Sequence, residues 1–391
     1  MMSNLYDLLG HAATPLAKQI LKRRLARGKE DPKSMQEKLG HASGQGPVDV
    51  WLHAASVGEL SAARPLLDEL QRSGLSILVT TTTQSSAKLA KQWLQGMTHQ
   101  FAPLDLPGPR RSFFDHWQPG VMVTIDSEIW PGWFDEARHR HIPSFIINGR
   151  MSQKSRAHWN KLRFLTGPVL AHAHLVVAQE EASASMFKKL GAPDVVVKPP
   201  LKLARATNHV TKEEPTHLVM ASMHPEEADS IRLILEELKT SGISLPVCII
   251  PRHPERIDEF GDITPNVHFE TAFGQMDHWL ARAKAVLVGG SFFDHGGQNP
   301  FEAVTHGLKP VIGPSHDNFA GMIRVLRGEQ AILLASHEQE AASMLAHAVA
   351  NPWRESTVVL PKLQQMGMEA VAHAAQAIQS AHEERSKGSK A

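Results

Sequence analysis

The sequence has one cysteine, no long apolar run and almost no net charge. Cys248, as the single cysteine, excludes an internal disulfide and favours a reducing compartment. No window approaches the roughly 18 consecutive apolar residues of a membrane-spanning helix, and the N-terminus lacks the order of a secretory signal. Lysine and arginine total 41 against 40 aspartates and glutamates, so global charge gives no reason to expect a nucleic-acid partner. These absences predict a protein that stays in the cytoplasm.

Several catalytic motifs are also missing. There is no Walker loop, no Gly-x-Gly-x-x-Gly dinucleotide fingerprint and no Gly-x-Ser-x-Gly nucleophile elbow. The 23 histidines form neither His-Glu-x-x-His nor Cys/His zinc spacing. Asp126 and Glu128, two apart in "DSEIWPG", resemble an acidic metal motif but have no neighbouring histidine or third carboxylate. This pattern favours a metal-free interpretation.

The alternation of apolar runs and helical patterns defines the fold class. From Val48 onward, short β-branched runs alternate with helical segments, which predicts βαβ units and parallel sheets. The alternation pauses at "VVVKPPLKLARATNHVTKEEPT", the predicted linker, and then resumes. We therefore expect an α/β protein with two Rossmann-like, doubly wound lobes facing a central cleft. The predicted domains are 46–200 and 201–375, preceded by a basic segment, 1–45, and followed by a polar tail, 376–391.

The N-terminal segment combines mild apolarity with a cluster of basic residues, namely Lys18, Lys22, Arg23, Arg24, Arg27 and Lys29. Such a segment can lie on an anionic membrane surface. It is equally compatible with a solvated basic helix that packs on its own domain.

A glycine-rich loop in "VLVGGSFFDHGGQNPFEA" is the strongest local motif. Glycines 289–290 end a strand, glycines 296–297 allow close backbone approach, and residues 299–302 begin a helix. A phosphate-bearing ligand fits such a loop, although a tight turn also explains the glycines. Glu302 is placed to accept hydrogen bonds from sugar hydroxyls or to complement the helix dipole.

Two further loops follow predicted strands. "IIPRHPER" places Arg252 and His253 directly after a strand, where a guanidinium is suited to bind phosphate or carboxylate. "HAASVGE" places Glu59 where a strand has ended and a helix begins. That position alone is compatible with a helix cap and with a catalytic carboxylate.

Taken in order, these motifs resemble one family, the 3-deoxy-D-manno-octulosonic acid (Kdo) transferases. The resemblance spans roughly Leu39 to Ala335, and the segments that carry it are "WLHAASVGELSAARPLL", "TTTT", "PLDLPGPRRSFFDHWQPGVMVTIDSEIWPG", "IPSFIINGRMSQKS", "IPRHPER" and "VLVGGSFFDHGGQNPFEAVTHGLKPVIGPSHDNF". It implies a GT-B glycosyltransferase that inverts the anomeric centre, needs no metal or cofactor, and transfers Kdo from CMP-Kdo to a lipid A precursor in lipopolysaccharide biosynthesis. It also implies a peripheral or weakly anchored protein on the cytoplasmic face of the inner membrane.

The resemblance also implies roles for individual residues. Glu59 is the expected general base, which removes a proton from the acceptor hydroxyl as it attacks C2 of Kdo. The expected donor-binding residues are Arg252, His253, Gly289, Gly290, Ser291, Asn299, Glu302 and Lys202. The expected residues on the acceptor or Kdo side are Ser56, Gly58, Glu128 and Arg150. The departing CMP phosphate is expected to meet Arg252, the backbone of 289–291 and the helix start at Asn299.

Some segments depart from the family pattern. The chain reads "ASMHPEEAD" where the family has Ala-Ser-Thr-His-x-Gly-Glu-Glu, "KPPLK" where it has Gly-Asn-Leu-Lys, and "GGQN" where it has Gly-Gly-His-Asn. These changes lie near the expected donor site. Two alternatives follow: a diverged GT-B enzyme that uses another nucleotide-activated acidic sugar or acceptor, and a non-catalytic sugar-nucleotide-binding relative. The number of Kdo residues transferred and the oligomeric state are not predicted.

Overall fold

The chain forms two compact units in the computed structural model, which describes residues 2–126, 129–206, 214–263, 266–353 and 356–388. Unit 1 runs to Ala204 and includes the residues from Gly367 onward, and unit 2 is Arg205–Met366. Each unit is α/β with a parallel sheet, as the sequence predicts.

Unit 1 contains, within its described residues, a seven-stranded parallel sheet of order β3-β2-β1-β4-β5-β6-β7. Its strands are β1 Val50–His53, β2 Ile77–Thr81, β3 Thr98–Phe101, β4 Val121–Ile125, β5 Ser144–Gly149, β6 Leu175–Ala178 and β7 Val195–Val197. Val50 and Leu52 face one apolar cluster and Trp51 the other, and all three are fully buried. Both faces of the sheet are therefore covered, which explains why its central strands are continuous apolar runs.

The helices of unit 1 connect these strands and cover the sheet. They are α1 Met2–Ala26, α2 Pro32–Lys38, α3 Val57–Arg72, α4 Gln84–Trp93, α5 Pro107–Trp117, α6 Pro131–His139, α7 Gln153–Lys161, α8 Arg163–Leu170 and α9 Glu181–Lys189. The burial of α3 shows the helical period clearly, since Leu60, Ala63, Leu67 and Leu70 are all fully buried.

Unit 2 contains, in its described part, a six-stranded parallel sheet of order β10-β9-β8-β11-β12-β13. The strands are β8 His217–Met223, β9 Val247–Pro251, β10 Val267–Phe269, β11 Ala283–Val288, β12 Val311–Ile312 and β13 Leu333–Leu334. The helices are α10 Ala228–Thr240, α11 Met276–Leu280, α12 Phe301–Thr305, α13 Ala320–Gly328 and α14 Glu338–Ala350, and α15 Ser356–Gly388 begins in this unit. Short 3₁₀ turns cover Pro225–Glu227, Pro254–Phe260 and Asp317–Phe319, and a further turn, Leu201–Arg205, lies at the boundary between the units.

The end of the chain differs from the predicted polar tail at 376–391. Helix α15 continues to Gly388, and its residues from Gly367 onward belong to unit 1. Ala370, Ala374, Ile378 and Ala381 are buried in the same apolar cluster as Val50 and Leu52. Their spacing of three or four residues places them on one helix face. This buried face explains why the polar residues near the C-terminus remain helical.

The predicted linker also contains regular structure. Val195–Val197 form β7, which pairs with β6, and Leu201–Arg205 form a 3₁₀ turn, while residues 207–213 lie outside the described residues. Strands β3 and β10 were not predicted. The sequence of β3 is "THQF", and its polar side chains are accommodated by hydrogen bonds, such as Trp117 Nε1 to Gln100 Oε1 at 3.1 Å.

Helix α1 is attached to unit 1 along one face. Tyr6 Oη donates to Asp105 Oδ2 at 2.7 Å, and the buried Arg110 donates to Asp7 Oδ1 at 2.7 Å. Gly10 lies so close to Pro107 that a Cβ there would be 2.7 Å from the ring. Within the described residues, no helix combines the length and apolarity that crossing a membrane requires.

Gly367 provides a test of how α15 packs in unit 1. A Cβ at this position would lie 2.0 Å from Ala204 N and 2.4 Å from Leu203 C, both backbone atoms. We expect Gly367→Ala to lower the free energy of unfolding by about 1–3 kcal/mol through overpacking. Thermal denaturation followed by circular dichroism measures the change.

The matched control is Gly328→Ala, because Gly328 is also helical and a Cβ there meets nothing within 4 Å. Alanine favours helix over glycine, so this variant should be as stable as the native protein or slightly more so. Equal melting temperatures for the two variants would contradict the packing described here.

Candidate functional site

Each sheet reverses its strand order at one place, and two of the loops that carry predicted site residues begin there. In unit 1 the reversal is between β1 and β4, and in unit 2 it is between β8 and β11. Chains leaving the carboxyl ends of such neighbouring strands diverge, which opens a crevice where ligands bind in open α/β sheets. The Glu59 loop follows β1, and the glycine-rich loop follows β11.

The Glu59 carboxylate is held at the start of α3. Ser56 is the N-cap, and its Oγ accepts from Glu59 N at 3.3 Å and donates to Glu59 Oε1 at 3.1 Å. Ala55 N donates to Glu59 Oε2 at 2.7 Å. This reciprocal arrangement is a helix-capping geometry. It also fixes the direction of a carboxylate that remains partly exposed at the crevice. Among the described residues, a Cβ at Gly58 would meet Ser56 Oγ alone, at 3.8 Å, so the backbone there is open to approach from that part of the chain.

Arg150 is oriented by a second pair of residues at the same edge of the sheet. Asp126 Oδ2 accepts from Arg150 Nε at 3.0 Å, and Asp126 Oδ1 accepts from Asn148 Nδ2 at 2.6 Å. Asp126 and Asn148 both have left-handed backbones, with φ of 58° and 62°. Such conformations cost energy for residues other than glycine and concentrate at functional sites. Glu128, which was also predicted here, lies outside the described residues.

Lys202 belongs to unit 1, whereas the predicted domain boundary at 201 assigned it to the second domain. It lies in the 3₁₀ turn Leu201–Arg205, and Leu201 N donates to Asn148 Oδ1 at 3.0 Å. The turn that carries Lys202 is therefore joined to the end of β5, close in sequence to Arg150.

In unit 2, the two loops at the crevice are joined by the carboxylate of Glu227. Glu227 is fully buried, and its Oε2 accepts from His224 N at 3.0 Å and Gly290 N at 2.7 Å. Its Oε1 accepts from Ser291 N at 3.0 Å and Phe292 N at 3.1 Å. Four backbone N–H groups therefore converge on one internal anion.

This arrangement changes the assignment of the glycine-rich loop. The N–H groups of Gly290 and Ser291 donate to Glu227, and Gly289 N donates to Ala221 O at 2.8 Å. The Ser291 hydroxyl is buried, donates to Val288 O at 2.6 Å and accepts from Gly313 N at 3.0 Å. The predicted role of these backbone groups and of Ser291 in holding a phosphate is therefore not supported, because their donors are engaged within the protein.

Other predicted residues remain accessible to a ligand. Arg252 is exposed directly after β9, and His253 is partly exposed. Asn299 Nδ2 donates to Glu302 Oε1 at 2.8 Å, so the structure brings these two predicted residues together at the start of α12.

A Cβ at Gly289 would lie 2.5 Å from Ser222 O, which explains the need for glycine at that position.

Three titratable side chains that were not predicted lie beside this loop. His224 stacks on His295, with ring centroids 4.1 Å apart, and Glu226 Oε2 is 3.4 Å from His295 Nε2. Burial, together with the nearby His295 and His253, lowers the pKa of His224 to about 4. The hydrogen bond from Arg256 lowers the pKa of Glu226 to about 2. In sequence, the only indication of this cluster was the unusual "SMHPEE" segment after β8.

A comparison with protein families identifies the first half of the chain. Residues 20–205 match the family model described as 3-deoxy-D-manno-octulosonic-acid transferase (kdotransferase). The 3-deoxy-D-manno-octulosonic acid transferase of Rickettsia bellii is 30% identical over 373 residues, covering 86% of this chain and 89% of that protein. The protein of the same name from Haemophilus influenzae is 26% identical, covering 80% of this chain and 81% of that protein.

Solved structures with a similar fold cover most of the chain. The glycosyltransferase of kitacinnamycin matches with a TM-score of 0.55 at 12% identity, covering 86% of this chain and all of that one. The UDP-GlcNAc 2-epimerase of Neisseria meningitidis matches with a TM-score of 0.58 at 13% identity, covering 85% and 100%. These similarities confirm the predicted GT-B class of two Rossmann-like domains.

The four hydrogen bonds of Glu227 lead to a prediction about the loop after β11. Glu227→Gln keeps the shape but replaces one acceptor oxygen by an N–H₂ donor that faces backbone N–H groups. We expect the free energy of unfolding of unit 2 to fall by about 1–3 kcal/mol because buried donors lose their acceptor. Hydrogen–deuterium exchange should show faster exchange at the amides of 290–292.

Glu236→Gln is the matched control, since Glu236 is an exposed glutamate on α10. It should change the stability by no more than about 0.5 kcal/mol. If exchange at 290–292 were as slow in Glu227→Gln as in this control, Glu227 would not be the residue that organises the loop.

Proposed function

Because the chain belongs to the 3-deoxy-D-manno-octulosonic acid (Kdo) transferase family, we propose that it transfers Kdo from CMP-Kdo to a lipid A precursor. The observation that carries the mechanism is the orientation of Glu59 at the strand-order reversal of unit 1. The names of its relatives support Kdo as the transferred sugar. CMP-Kdo, lipid A and a place in lipopolysaccharide biosynthesis are parts of the proposal.

Glu59 acts as the general base in this proposal. A sugar hydroxyl is a poor nucleophile near neutral pH, so a carboxylate within hydrogen-bond reach accepts its proton as the oxygen attacks. The hydroxyl oxygen forms a bond to the anomeric C2 of Kdo from the face opposite the phosphate. The C2–O bond to phosphate breaks, and CMP leaves with the electron pair, so the configuration at C2 inverts. The hydrogen bonds from Ala55 N and Ser56 Oγ hold the carboxylate in one direction for this step.

Unit 2 holds the nucleotide in this proposal. The exposed guanidinium of Arg252 is suited to the phosphate, and the hydrogen-bonded pair Asn299 and Glu302 is suited to ribose hydroxyls. His253 lies beside Arg252. In this mechanism the positive charge that faces the phosphate comes from a protein side chain. The proposed transfer therefore uses no metal ion and no cofactor.

Helix α1 attaches the enzyme to the inner-membrane surface on its cytoplasmic face, where a lipid acceptor is found. Four apolar side chains of α1 are well exposed: Leu8 (65%), Leu9 (61%), Leu16 (59%) and Ile20 (47%). At 100° per residue they fall within an arc of about 120°. Basic residues surround them in the second half of the helix, including Arg23 and Arg24 in its last turn. An exposed apolar strip with adjacent cations suits an interface with anionic lipid.

Replacing the proposed base tests the mechanism. We expect Glu59→Gln to lower the rate of Kdo transfer by roughly 10²–10⁴-fold, because general-base catalysis contributes about that much. CMP affinity should be unchanged. Lipid A precursor is incubated with the enzyme and with CMP-Kdo generated in place. Mass spectrometry then measures the transfer and counts the sugars added. A parallel incubation with EDTA tests whether the transfer proceeds without a metal ion.

Glu69→Gln is the control on the same helix and should retain native activity. Turnover by Glu59→Gln at the rate of Glu69→Gln would exclude Glu59 as the base. A native protein that binds CMP but adds no mass to the precursor would exclude this donor and acceptor pair and favour another activated sugar.

Introducing negative charge among the exposed apolar side chains of α1 tests whether this helix binds the membrane. We expect Leu16→Glu combined with Ile20→Glu to reduce sedimentation with anionic phosphatidylglycerol vesicles by at least tenfold, because each carboxylate opposes insertion. Point changes are preferable to deletion of α1, which would remove Asp7, one of the partners of the buried Arg110. Leu233→Glu, at an exposed leucine of α10, is the control. Sedimentation of the double variant equal to that of the control would refute the role of α1.

A further inference from the structure

The loops after β8 and β11 bring two imidazoles and a carboxylate together. His224 and Glu226 follow β8, and His295 follows β11. One ligand atom from each of these residues lies within 4.8 Å of the others. His295 Nε2 is buried, and within the described part of the chain it makes no hydrogen bond. A buried ring nitrogen without a hydrogen bond is costly unless another partner occupies its lone pair or accepts its proton.

One pair of these atoms has the spacing of ligands around a small cation. His295 Nε2 and Glu226 Oε2 are 3.4 Å apart. Two atoms that each lie about 2.1 Å from a tetrahedral ion are separated by about 3.4 Å. The rings of His224 and His295 are stacked, with centroids 4.1 Å apart and 22° between their planes. Because a ring nitrogen binds an ion in the plane of its ring, one imidazole must turn out of this stack for both to bind the same ion.

The hydrogen bonds of Glu226 leave one of its oxygens for the cluster. Arg256 Nη2 donates to Glu226 Oε1 at 2.9 Å, and Glu226 Oε2 is directed at His295.

We propose that His224, Glu226 and His295 form a binding site for a divalent transition-metal ion of the zinc type. Two histidines and one glutamate are a common ligand set for zinc that keeps a fourth position for water or another ligand. The site lies beside the glycine-rich loop, because Gln298 Nε2 is 3.0 Å from His224 Nε2. A bound ion would link the loops after β8 and β11 near the protein surface. The buried Glu227 carboxylate links the same two loops in the interior.

This site is separate from the proposed transfer chemistry and does not rest on it. The residues assigned to that reaction are Glu59, Arg252, Asn299 and Glu302, and none of them is a ligand here. A protein that binds no metal ion would not contradict the transferase proposal. A protein that transfers no Kdo would not contradict the proposed metal site.

Cobalt titration of the full-length protein tests the proposal. After treatment with EDTA and dialysis, we expect one equivalent of Co²⁺ to give the visible absorption bands of a four-coordinate ion, and Zn²⁺ to displace it. Zn²⁺ should also raise the melting temperature, since a ligand that binds only the folded state stabilises it. His295→Ala and Glu226→Gln should each weaken Co²⁺ binding by more than tenfold, since even partners that only orient ligands contribute about 10–100-fold.

His253→Ala is the matched control, because His253 contacts the His224 ring edge-on but is not part of the ligand set. It should bind Co²⁺ as the native protein does. His295 is partly exposed, so its alanine variant is expected to fold, and circular dichroism checks this. Absence of the cobalt bands would show that no four-coordinate ion is bound. Equal binding by native protein, His295→Ala and Glu226→Gln would show that the ion binds elsewhere among the 23 histidines. Either result would overturn the proposal.

Discussion

The glycine-rich loop of unit 2 depends on one buried carboxylate. Glu227 accepts four backbone N–H groups from two loops that are more than 60 residues apart in sequence. A buried charge is costly, and it is tolerated only when hydrogen bonds replace those of water. Hydrogen bonds to charged groups contribute of the order of 1.5–3 kcal/mol each. The four hydrogen bonds to Glu227 therefore stabilise the loop conformation, and the left-handed Gly290 allows the turn to close around the carboxylate.

Unit 1 has a glutamate at the corresponding place, but the surroundings of its side chain are different. Glu59 and Glu227 each lie just after the first strand of their unit, at the point where the strand order reverses. Glu227 is enclosed, and both its oxygens are used by backbone donors. Glu59 is partly exposed, and its carboxylate accepts from Ala55 N and from Ser56 Oγ. The buried carboxylate of Glu227 maintains a loop. The partly exposed carboxylate of Glu59 is accessible, as the proposed proton transfer requires.

The sequence was sufficient to predict the two parallel sheets and most of their strands. Strands buried on both faces are continuous apolar runs, so Val121–Ile125 and Ala283–Val288 are easily recognised. The edge strands β3 and β10 were missed because polar residues such as His99 and His268 interrupt their apolar pattern. The end of the chain was missed for a related reason, since the alanines of α15 form a narrow buried strip within a polar segment.

The site was only partly predictable, because its most important contacts are long-range. Glu59, Arg150 and the Asn299–Glu302 pair were predicted from the order of their motifs, and their roles stay predictions. The function of Glu227 depends on amides that lie at 290–292, and no local pattern around "MHPEE" specifies which distant donors will surround it. The pairing of His295 with Glu226 has the same origin, since the two residues come from loops after different strands.

The engagement of the loop amides has a consequence for anion binding in unit 2. A glycine-rich loop at the end of a parallel strand commonly holds phosphate with its backbone N–H groups. In this protein an internal carboxylate occupies that role, so a second anion at the same amides would meet the charge of Glu227 at short range. In the proposed function, an anionic nucleotide therefore relies on side-chain cations that project beyond the loop. Arg252 is exposed at the end of β9, the strand next to β8, and because its charge is on a side chain it can approach a phosphate without disturbing the loop. In that proposal, the group that shapes the loop and the group that binds the phosphate are different residues.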